Sequence, residues 1–231
     1  MKRSGPLRDR LALRALRLSA VAWGAAERAG LDLAGATEGP PVVADGARAA
    51  AFDELLAGGG TVGAADCPYP LHELLTHLVR ERGLLLHGSN DCSLEALEPR
   101  PARDFGTELR AVVACDDGIW PLFYAVAAHG RVDGVFSACL HAGRRRLYLF
   151  AIGGDPAVGN SWTRGTVYAL PREGFRREWG REWVCGEPVE PVLRVSVGPE
   201  DFPLREAVIE APAAFRRLGA AFRAAKRARA A

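Results

Sequence analysis

The stretch LLLHGSN, residues 84–90, runs from three leucines into residues with polar side chains and one glycine. An apolar run of this length that ends on a polar group is typical of a buried β-strand that reaches a site at its end. His87 can exchange hydrogen bonds there, and Gly88 lets a ligand approach the backbone closely. Ser89 and Asn90 add donors and acceptors of short reach. His87 is therefore either the cap of a strand or a ligand-binding group, and its neighbours favour the second interpretation.

Six further strands are predicted after this stretch, because short apolar runs are each bounded by Gly, Pro or Asp. They read RAVVACD, GVFSACLHAG, RRLYLFAIG, GTVYALP, EWVCGEPVE and VLRVSVG. One helix interrupts them at DDGIWPLFYAVAAHG, residues 116–130. Asp116 or Asp117 can cap its first turn, and Gly130 ends it.

The first third of the chain is predicted to be helical. Apolar residues recur with the 3.6-residue period over 9–29, and shorter helices are expected at 47–57 and at LHELLTHLVRERG, residues 71–83. The tail from Pro212 is a basic amphipathic segment. We therefore expect an α+β protein with a helical N-terminal region at 1–83, a core domain at 84–205 and a C-terminal basic helix at 206–231.

Composition narrows the class of protein. The chain has 231 residues, a net charge of only +2 and five cysteines without a CxxC pair. The small charge gives no reason to expect nucleic-acid or membrane binding, and no apolar stretch approaches the roughly 18 residues of a membrane span. Odd-numbered, scattered cysteines predict reduced thiols, so we expect a cytoplasmic protein.

Motifs for several enzyme classes are missing from the sequence. It contains no P-loop, GxGxxG or GxSxG motif. This argues against a P-loop NTPase, a Rossmann dinucleotide-binding protein and an α/β-hydrolase with a nucleophile elbow. Cys67, His72 and His77 match no zinc-ligand spacing, so no metal site is predicted.

Two segments carry candidate partners for His87. The helix predicted at 116–130 contains Phe123 and Tyr124, which are either core residues or a surface on which a flat cationic ring stacks. Glu187 and Glu190 lie in GEPVEPV, near late strands. They are either surface residues at a proline-bounded turn or a site carboxylate.

The order of these elements resembles the ADP-ribosyltransferase fold, in the His-Tyr-Glu branch that includes diphtheria toxin and the poly(ADP-ribose) polymerases. The resemblance covers residues 84–200 and implies a split, mixed or antiparallel β-sheet. It also implies NAD as the substrate and transfer of ADP-ribose to a protein or nucleic-acid acceptor, a glycosyltransferase reaction.

The same resemblance implies roles for individual residues. His87 would hold the ribose hydroxyl next to nicotinamide, and the HGS segment, Gly88 and Ser89 included, would bind NAD, with the backbone of Gly88 on the carboxamide. Phe123 or Tyr124 would stack on the nicotinamide ring. The catalytic carboxylate would be Glu187, with Glu190 as the second choice.

The sequence departs from this family at two places. The polymerases carry a tyrosine on the strand before the helix, where this chain has Val112 and Val113. They also carry a serine in the helix, where this chain has GIWP. Both departures concern residues of the site.

Two alternatives stay open. One is an inert binding module of the same fold, with the N-terminal helices as a partner surface. The other resembles the NAD-dependent RNA 2′-phosphotransferases, with GRRR at 143–146 and the basic tail as RNA contacts.

Overall fold

The computed structural model of the chain describes residues 36–43, 45–104, 107–142, 145–179 and 181–211. The helices predicted at 9–29 and from Pro212 onward lie outside these residues. The domain boundaries expected at 83/84 and 205/206 stay predictions. The predicted α+β class is confirmed for the described part, which contains helices and two β-sheets.

Three α-helices lie within the described ranges: α1, Gly46–Gly58; α2, Leu71–Arg80; and α3, Trp120–Val126. The side chain of Asp45 caps α1 by accepting a hydrogen bond from the Ala47 backbone N–H at 3.0 Å. The helix ends where Gly59 adopts a φ of 62°, which is accessible to glycine without strain. The middle of α2 is buried, so this helix packs on the core.

Eight strands form a large sheet, in the order β2-β11-β8-β3-β5-β10-β9, with β4 paired to β5. Their bounds are β2, Thr61–Val62; β3, Leu85–Ser89; β4, Arg100–Asp104; β5, Thr107–Cys115; β8, Gly165–Leu170; β9, Arg176–Trp179; β10, Glu182–Cys185; and β11, Leu193–Val197. All pairs are antiparallel except β2 with β11.

Four strands form a small sheet around a long hairpin. They are β1, Thr37–Glu38; β6, Val135–Ala142; β7, Arg145–Ile152; and β12, Ile209–Glu210. β6 runs antiparallel along one edge of β7, and β1 and β12 pair with two parts of its other edge. Short strands therefore also come from the predicted helical N-terminal region, which contains β1 and β2, and from the predicted C-terminal segment, which contains β12.

Helix α3 lies between the two sheets. On one side it packs against β3 and β8. On the other side, the ring centroids of its Phe123 and of Phe150 on β7 are 4.7 Å apart. Close contact with the large sheet requires glycine at two positions. A Cβ on Gly88 would lie 1.9 Å from the Pro121 carbonyl oxygen, and one on Gly165 would lie 2.0 Å from the Ala125 oxygen. These glycines therefore let the helix backbone rest directly on the sheet.

Each of the seven predicted strands corresponds to a strand of the structure, with one much shorter than expected. EWVCGEPVE forms a strand only over Glu182–Cys185, and Val189 makes an isolated bridge to Leu97. The helix predicted at 116–130 is also shorter, because residues 116–119 form the turn that leads into α3. β4 and β9 were not predicted.

None of the helices in the described ranges is long and apolar enough to span a bilayer.

Candidate functional site

A gap in the large sheet creates the candidate site. β3 pairs with β8 at five positions, from Leu85 to Ser89, but with β5 only where Leu86 faces Cys115. Beyond that pair the two strands separate, so the edge of β3 that faces β5 has no further strand partner in the described ranges. Backbone and side-chain groups along this edge are therefore available to a ligand.

A cavity of about 230 Å³, here called the His87 cleft, occupies the gap. Its walls come from β3, the end of β5, helix α3 and the first residue of β10. They are formed by Leu86, His87, Gly88, Val113, Ala114, Cys115, Trp120, Pro121, Tyr124 and Glu182. This volume is below the roughly 300–1,000 Å³ of pockets for drug-sized ligands, so the cleft suits a single ring with its substituents.

His87 is held in one tautomer. Its Nδ1 lies 2.7 Å from the Val113 carbonyl oxygen, which can only accept, so Nδ1 carries the hydrogen. Burial lowers the pKa of His87, and the nearby charge of Arg100 lowers it further. The ring is therefore neutral at pH 7, and its Nε2 presents a lone pair that can accept a hydrogen bond from a hydroxyl.

Tyr124 supplies an aromatic wall that is fixed from behind. Its hydroxyl lies 2.8 Å from Ser137 Oγ, and the same oxygen accepts a 2.6 Å hydrogen bond from Trp120 Nε1. Burial raises the pKa of Tyr124 to about 12, and the negative charge of Glu182 contributes to this rise. The phenol is thus protonated at neutral pH, and its interaction with Glu182 indicates that the carboxylate is close.

Glu182 brings a carboxylate to the cleft through strand register. It pairs with Cys115, which in turn pairs with Leu86, so these three residues lie side by side on neighbouring strands. Directly paired residues point to the same face of a sheet, so Glu182 shares the face of Leu86 and Cys115, whereas His87, the next residue of β3, starts from the other face. Both side chains border the cleft because β3 and β5 separate after Leu86. With strands spaced by about 4.8 Å, the Cα atoms of Leu86 and Glu182 are roughly 10 Å apart, with Cys115 of β5 between them.

The remaining residues of HGSN stabilise the surroundings. Asn90 Nδ2 donates to the Ala125 carbonyl oxygen at 2.8 Å, and its Oδ1 accepts from the His129 backbone N–H at 3.1 Å. Asn90 therefore holds the end of α3 against β3. Ser89 Oγ accepts from the Asp91 backbone N–H at 3.1 Å and does not line the cleft.

Besides Ser89, three residues considered for the site from the sequence lie outside the cleft. Phe123 is fully buried in the core against Phe150 and Phe202, so among the two candidate rings only Tyr124 reaches the cleft. Glu187 and Glu190 are exposed residues beyond the end of β10 and do not line it. Glu182, which was not considered from the sequence, is the glutamate that lines the cleft.

The cleft thiol has no nucleophilic character. Cys115 is buried, and burial together with the charge of Asp117 raises its pKa well above the ordinary value. Its Sγ lies 3.7 Å from the Asp117 carbonyl oxygen. A protonated thiol is a poor nucleophile, so the reactive groups of the cleft are His87 and Glu182.

A further cavity, of about 510 Å³, lies between α1, α2 and residues 41–43. Arg48 pairs there with Glu73, and His77 and Arg82 both contact Asp53. Arg80 and Arg146 also line this cavity. Across the described ranges, no three His, Cys, Asp or Glu side chains are grouped so that they could hold a metal ion.

The chain matches no protein family model, and neither a curated protein nor a solved structure matches it. The geometry of the cleft is therefore the basis for a functional proposal.

Proposed function

We propose that the chain binds NAD with the nicotinamide ring in the His87 cleft and transfers ADP-ribose to an acceptor. One observation carries this proposal: a neutral histidine, a tyrosine ring and a carboxylate line the same narrow cleft. This is the set of groups that the resemblance to the His-Tyr-Glu ADP-ribosyltransferases implies, with Glu182 instead of Glu187 as the carboxylate.

His87, Gly88 and Tyr124 orient the substrate in this proposal. The Nε2 lone pair of His87 accepts a hydrogen bond from a ribose hydroxyl, since Nδ1 is committed to Val113. The Tyr124 ring stacks on nicotinamide, and the backbone of Gly88 holds its carboxamide. A cationic pyridinium ring gains from an aromatic face beside it, and positioning of this kind supplies much of the rate of a bond cleavage.

Glu182 stabilises the reacting sugar. As the bond between nicotinamide and ribose breaks, positive charge develops on the ribose, as it does in glycoside cleavage. A fixed carboxylate in a partly dry cleft lowers the energy of that charge and can accept a hydrogen bond from the acceptor hydroxyl. Glu182 acts mainly in the transition state, so its removal affects the rate more than substrate affinity.

The RNA phosphotransferase alternative receives less support. It relied on GRRR at 143–146 as an exposed basic surface, but Arg146 is 8% exposed. A buried guanidinium cannot serve as part of a solvated RNA-binding patch.

Glu182→Gln tests the proposal because it keeps the size of the side chain and removes its charge. We expect the rate of NAD turnover to fall by about 100-fold or more. Release of nicotinamide measures this rate. The NAD dissociation constant, measured by calorimetry, should change by less than about threefold, since the lost interaction belongs to the transition state.

Glu187→Gln is the matched control, with the same chemical change on an exposed carboxylate outside the cleft. Its turnover should stay within about twofold of the unmodified protein. Lack of NAD binding by the folded protein at millimolar NAD would contradict the proposal. Binding without any turnover would instead favour the inert module.

A further inference from the structure

A second cavity, of about 220 Å³, lies beside the His87 cleft. We call it the arginine cavity because four guanidinium groups line it, together with two carboxylates and residues of α2 and the turn before α3. Its residues are Thr76, Val79, Arg80, Asp116, Asp117, Gly118, Arg146, Arg172 and Arg181.

Arg146 is the unusual member of this cavity. It is 8% exposed and lies on β7 between the two sheets, yet it forms no ion pair with any residue in the described ranges. Within the described part of the chain, its side chain donates one hydrogen bond, from Nη2 to the Pro40 carbonyl oxygen. A guanidinium carries five N–H donors, so most of the donor capacity of Arg146 is left for the arginine cavity and for the 510 Å³ cavity, which it also lines. Burial of a charge without an anion is costly, which indicates that an anion is bound there in function.

Neither carboxylate of the cavity forms an ion pair with Arg146. Asp116 Oδ1 lies 3.2 Å from Arg181 Nη1, so that pair is already formed. Asp117 accepts hydrogen bonds from the Tyr148 hydroxyl at 2.8 Å and from the backbone N–H groups of Ile119 and Trp120. The oxygens of Asp116 and Asp117 are thus engaged within the fold, and the cavity has four guanidinium groups against two carboxylates, which leaves an excess of positive charge.

The other arginines leave donors directed to the same space. Arg80, the last residue of α2, forms no hydrogen bond or ion pair within the described part of the chain. Arg172 Nε donates a hydrogen bond to the Gly83 carbonyl oxygen at 2.9 Å, and its guanidinium carbon lies 4.6 Å from the centroid of the Trp183 ring. These two contacts fix the direction of the guanidinium. The cavity thus contains the buried Arg146 and the exposed Arg80, neither of which has a carboxylate partner in the described ranges. It also contains Arg172, whose guanidinium is oriented by stacking on Trp183.

We propose that the arginine cavity binds a phosphate or diphosphate group, with Arg146 and Arg80 as the principal ligands. A tetrahedral dianion accepts paired hydrogen bonds from guanidinium groups on several sides, which a single carboxylate cannot do equally well. The small volume suits a phosphate or diphosphate rather than a whole nucleotide.

The two sites share a wall. Cys115 lines the His87 cleft, and the next residue, Asp116, lines the arginine cavity. On β10, Glu182 lines the His87 cleft, and the preceding residue, Arg181, lines the arginine cavity. The backbone N–H of Asp116 donates to the Arg181 carbonyl oxygen at 3.2 Å and continues the pairing of β5 with β10. The phosphate group therefore has two sources of the same chemistry: the diphosphate of a dinucleotide whose other end is in the cleft, or a phosphorylated second substrate.

Calorimetric titration of the full chain with inorganic phosphate and with pyrophosphate tests the site without any activity assay. Arg80→Gln should weaken pyrophosphate binding about tenfold, because a charge-assisted pair of hydrogen bonds is lost. Arg146→Gln should weaken it further. Since Arg146 is buried and its replacement could impair folding, the exposed Arg80 keeps the test valid.

Arg164→Gln is the control, because it removes the same charge from an arginine that is exposed and paired with Glu200 away from the cavity. Its pyrophosphate affinity should change by less than about twofold. Lack of pyrophosphate binding at millimolar concentration, or an equal loss in Arg164→Gln and Arg80→Gln, would overturn the proposal.

Competition identifies the source. If NAD displaces pyrophosphate, the cavity holds the dinucleotide's own diphosphate; if both bind together, it holds the phosphate of a second substrate. Each result supports the phosphate site. Because pyrophosphate binding does not require NAD binding, failure of the phosphate site and failure of the proposed NAD function can be told apart.

Discussion

The His87 cleft and the arginine cavity lie next to each other at the end of β5 and the start of β10. They differ in whether their polar groups have hydrogen-bond or charge partners. In the cleft, Tyr124 is hydrogen-bonded to Ser137 and His87 to Val113, so the cleft offers the Nε2 lone pair of a neutral ring and is also lined by the Glu182 carboxylate. In the cavity, the buried cation of Arg146 has no carboxylate partner in the described ranges.

This contrast indicates two kinds of ligand chemistry. A mostly apolar cleft with fixed hydrogen-bonding groups selects a flat ring by shape and orientation. A small polar cavity with excess positive charge selects an anion through charge-assisted hydrogen bonds. The turn of residues 116–118 and the start of α3 separate the two, so their relative position depends on how α3 is seated.

The largest expected effect comes from unseating α3. In Gly88→Ala the added Cβ would meet the Pro121 carbonyl oxygen at 1.9 Å, and backbone must move to relieve the overlap. We expect the free energy of unfolding to fall by at least about 3 kcal/mol, at the upper end of overpacking effects. Urea denaturation followed by tryptophan fluorescence measures this change, and loss of ligand binding at both sites would accompany it.

Gly58→Ala is the control, because no atom outside the local backbone lies within 4 Å of the new Cβ and φ is not positive there. Its stability should change by less than about 1 kcal/mol. Equal stabilities of the Gly88 and Gly58 variants would mean that the contact between α3 and β3 is looser than described.

Local sequence patterns were sufficient to predict most of the core strands. Alternation and bounding glycines identify β3, β5, β6, β7, β8 and β11, since these signals are local. The two-residue strands β1, β2 and β12 carry no such pattern, because they exist only through pairing with distant partners. Their formation is a tertiary effect that a local window does not contain.

The candidate site was predictable only in part, for reasons of register. His87 and Tyr124 were found, but Phe123 and Tyr124 are adjacent on a helix buried on nearly all sides, so periodicity could not separate them. Selecting Glu182 over Glu187 required the end of β10 and its pairing with Cys115. One signal was available and unused: Arg146 alternates with the buried Tyr148 and Phe150 on β7, which places it on the inner face.

A smaller effect sharpens the role of the aromatic wall. Tyr124→Leu removes the ring that lines the cleft, so nicotinamide affinity should fall about fivefold to tenfold, the usual worth of an aromatic pair. Tyr124→Phe keeps the ring and loses only the hydrogen bond to Ser137, so affinity should stay within about twofold. Pyrophosphate affinity should be unchanged in both. Equal losses in the Phe and Leu variants would show that the hydroxyl, not the ring, matters.

The smallest expected effect is a pH dependence specific to the cleft. Burial lowers the pKa of His87 below its ordinary 6.5, so the neutral acceptor form persists from alkaline pH through pH 7. Protonation of the folded protein at lower pH turns Nε2 from an acceptor into a donor, and nicotinamide affinity should then decline. The unfolded chain takes up this proton first, so the contribution of His87 to stability is also lost as pH falls through about 6.5.

His87→Asn separates this titration from that of His129, whose ring stacks on Tyr124 and whose pKa is also lowered by burial. If His87 is the titrating group, nicotinamide affinity in His87→Asn should be weaker at neutral pH and nearly constant from pH 8 down to about pH 5, the range in which an unmodified histidine titrates. A decline with pH that persists in this variant would assign the effect to His129. Because Asn cannot be protonated in this range, calorimetry of the two proteins at matched pH values distinguishes these outcomes.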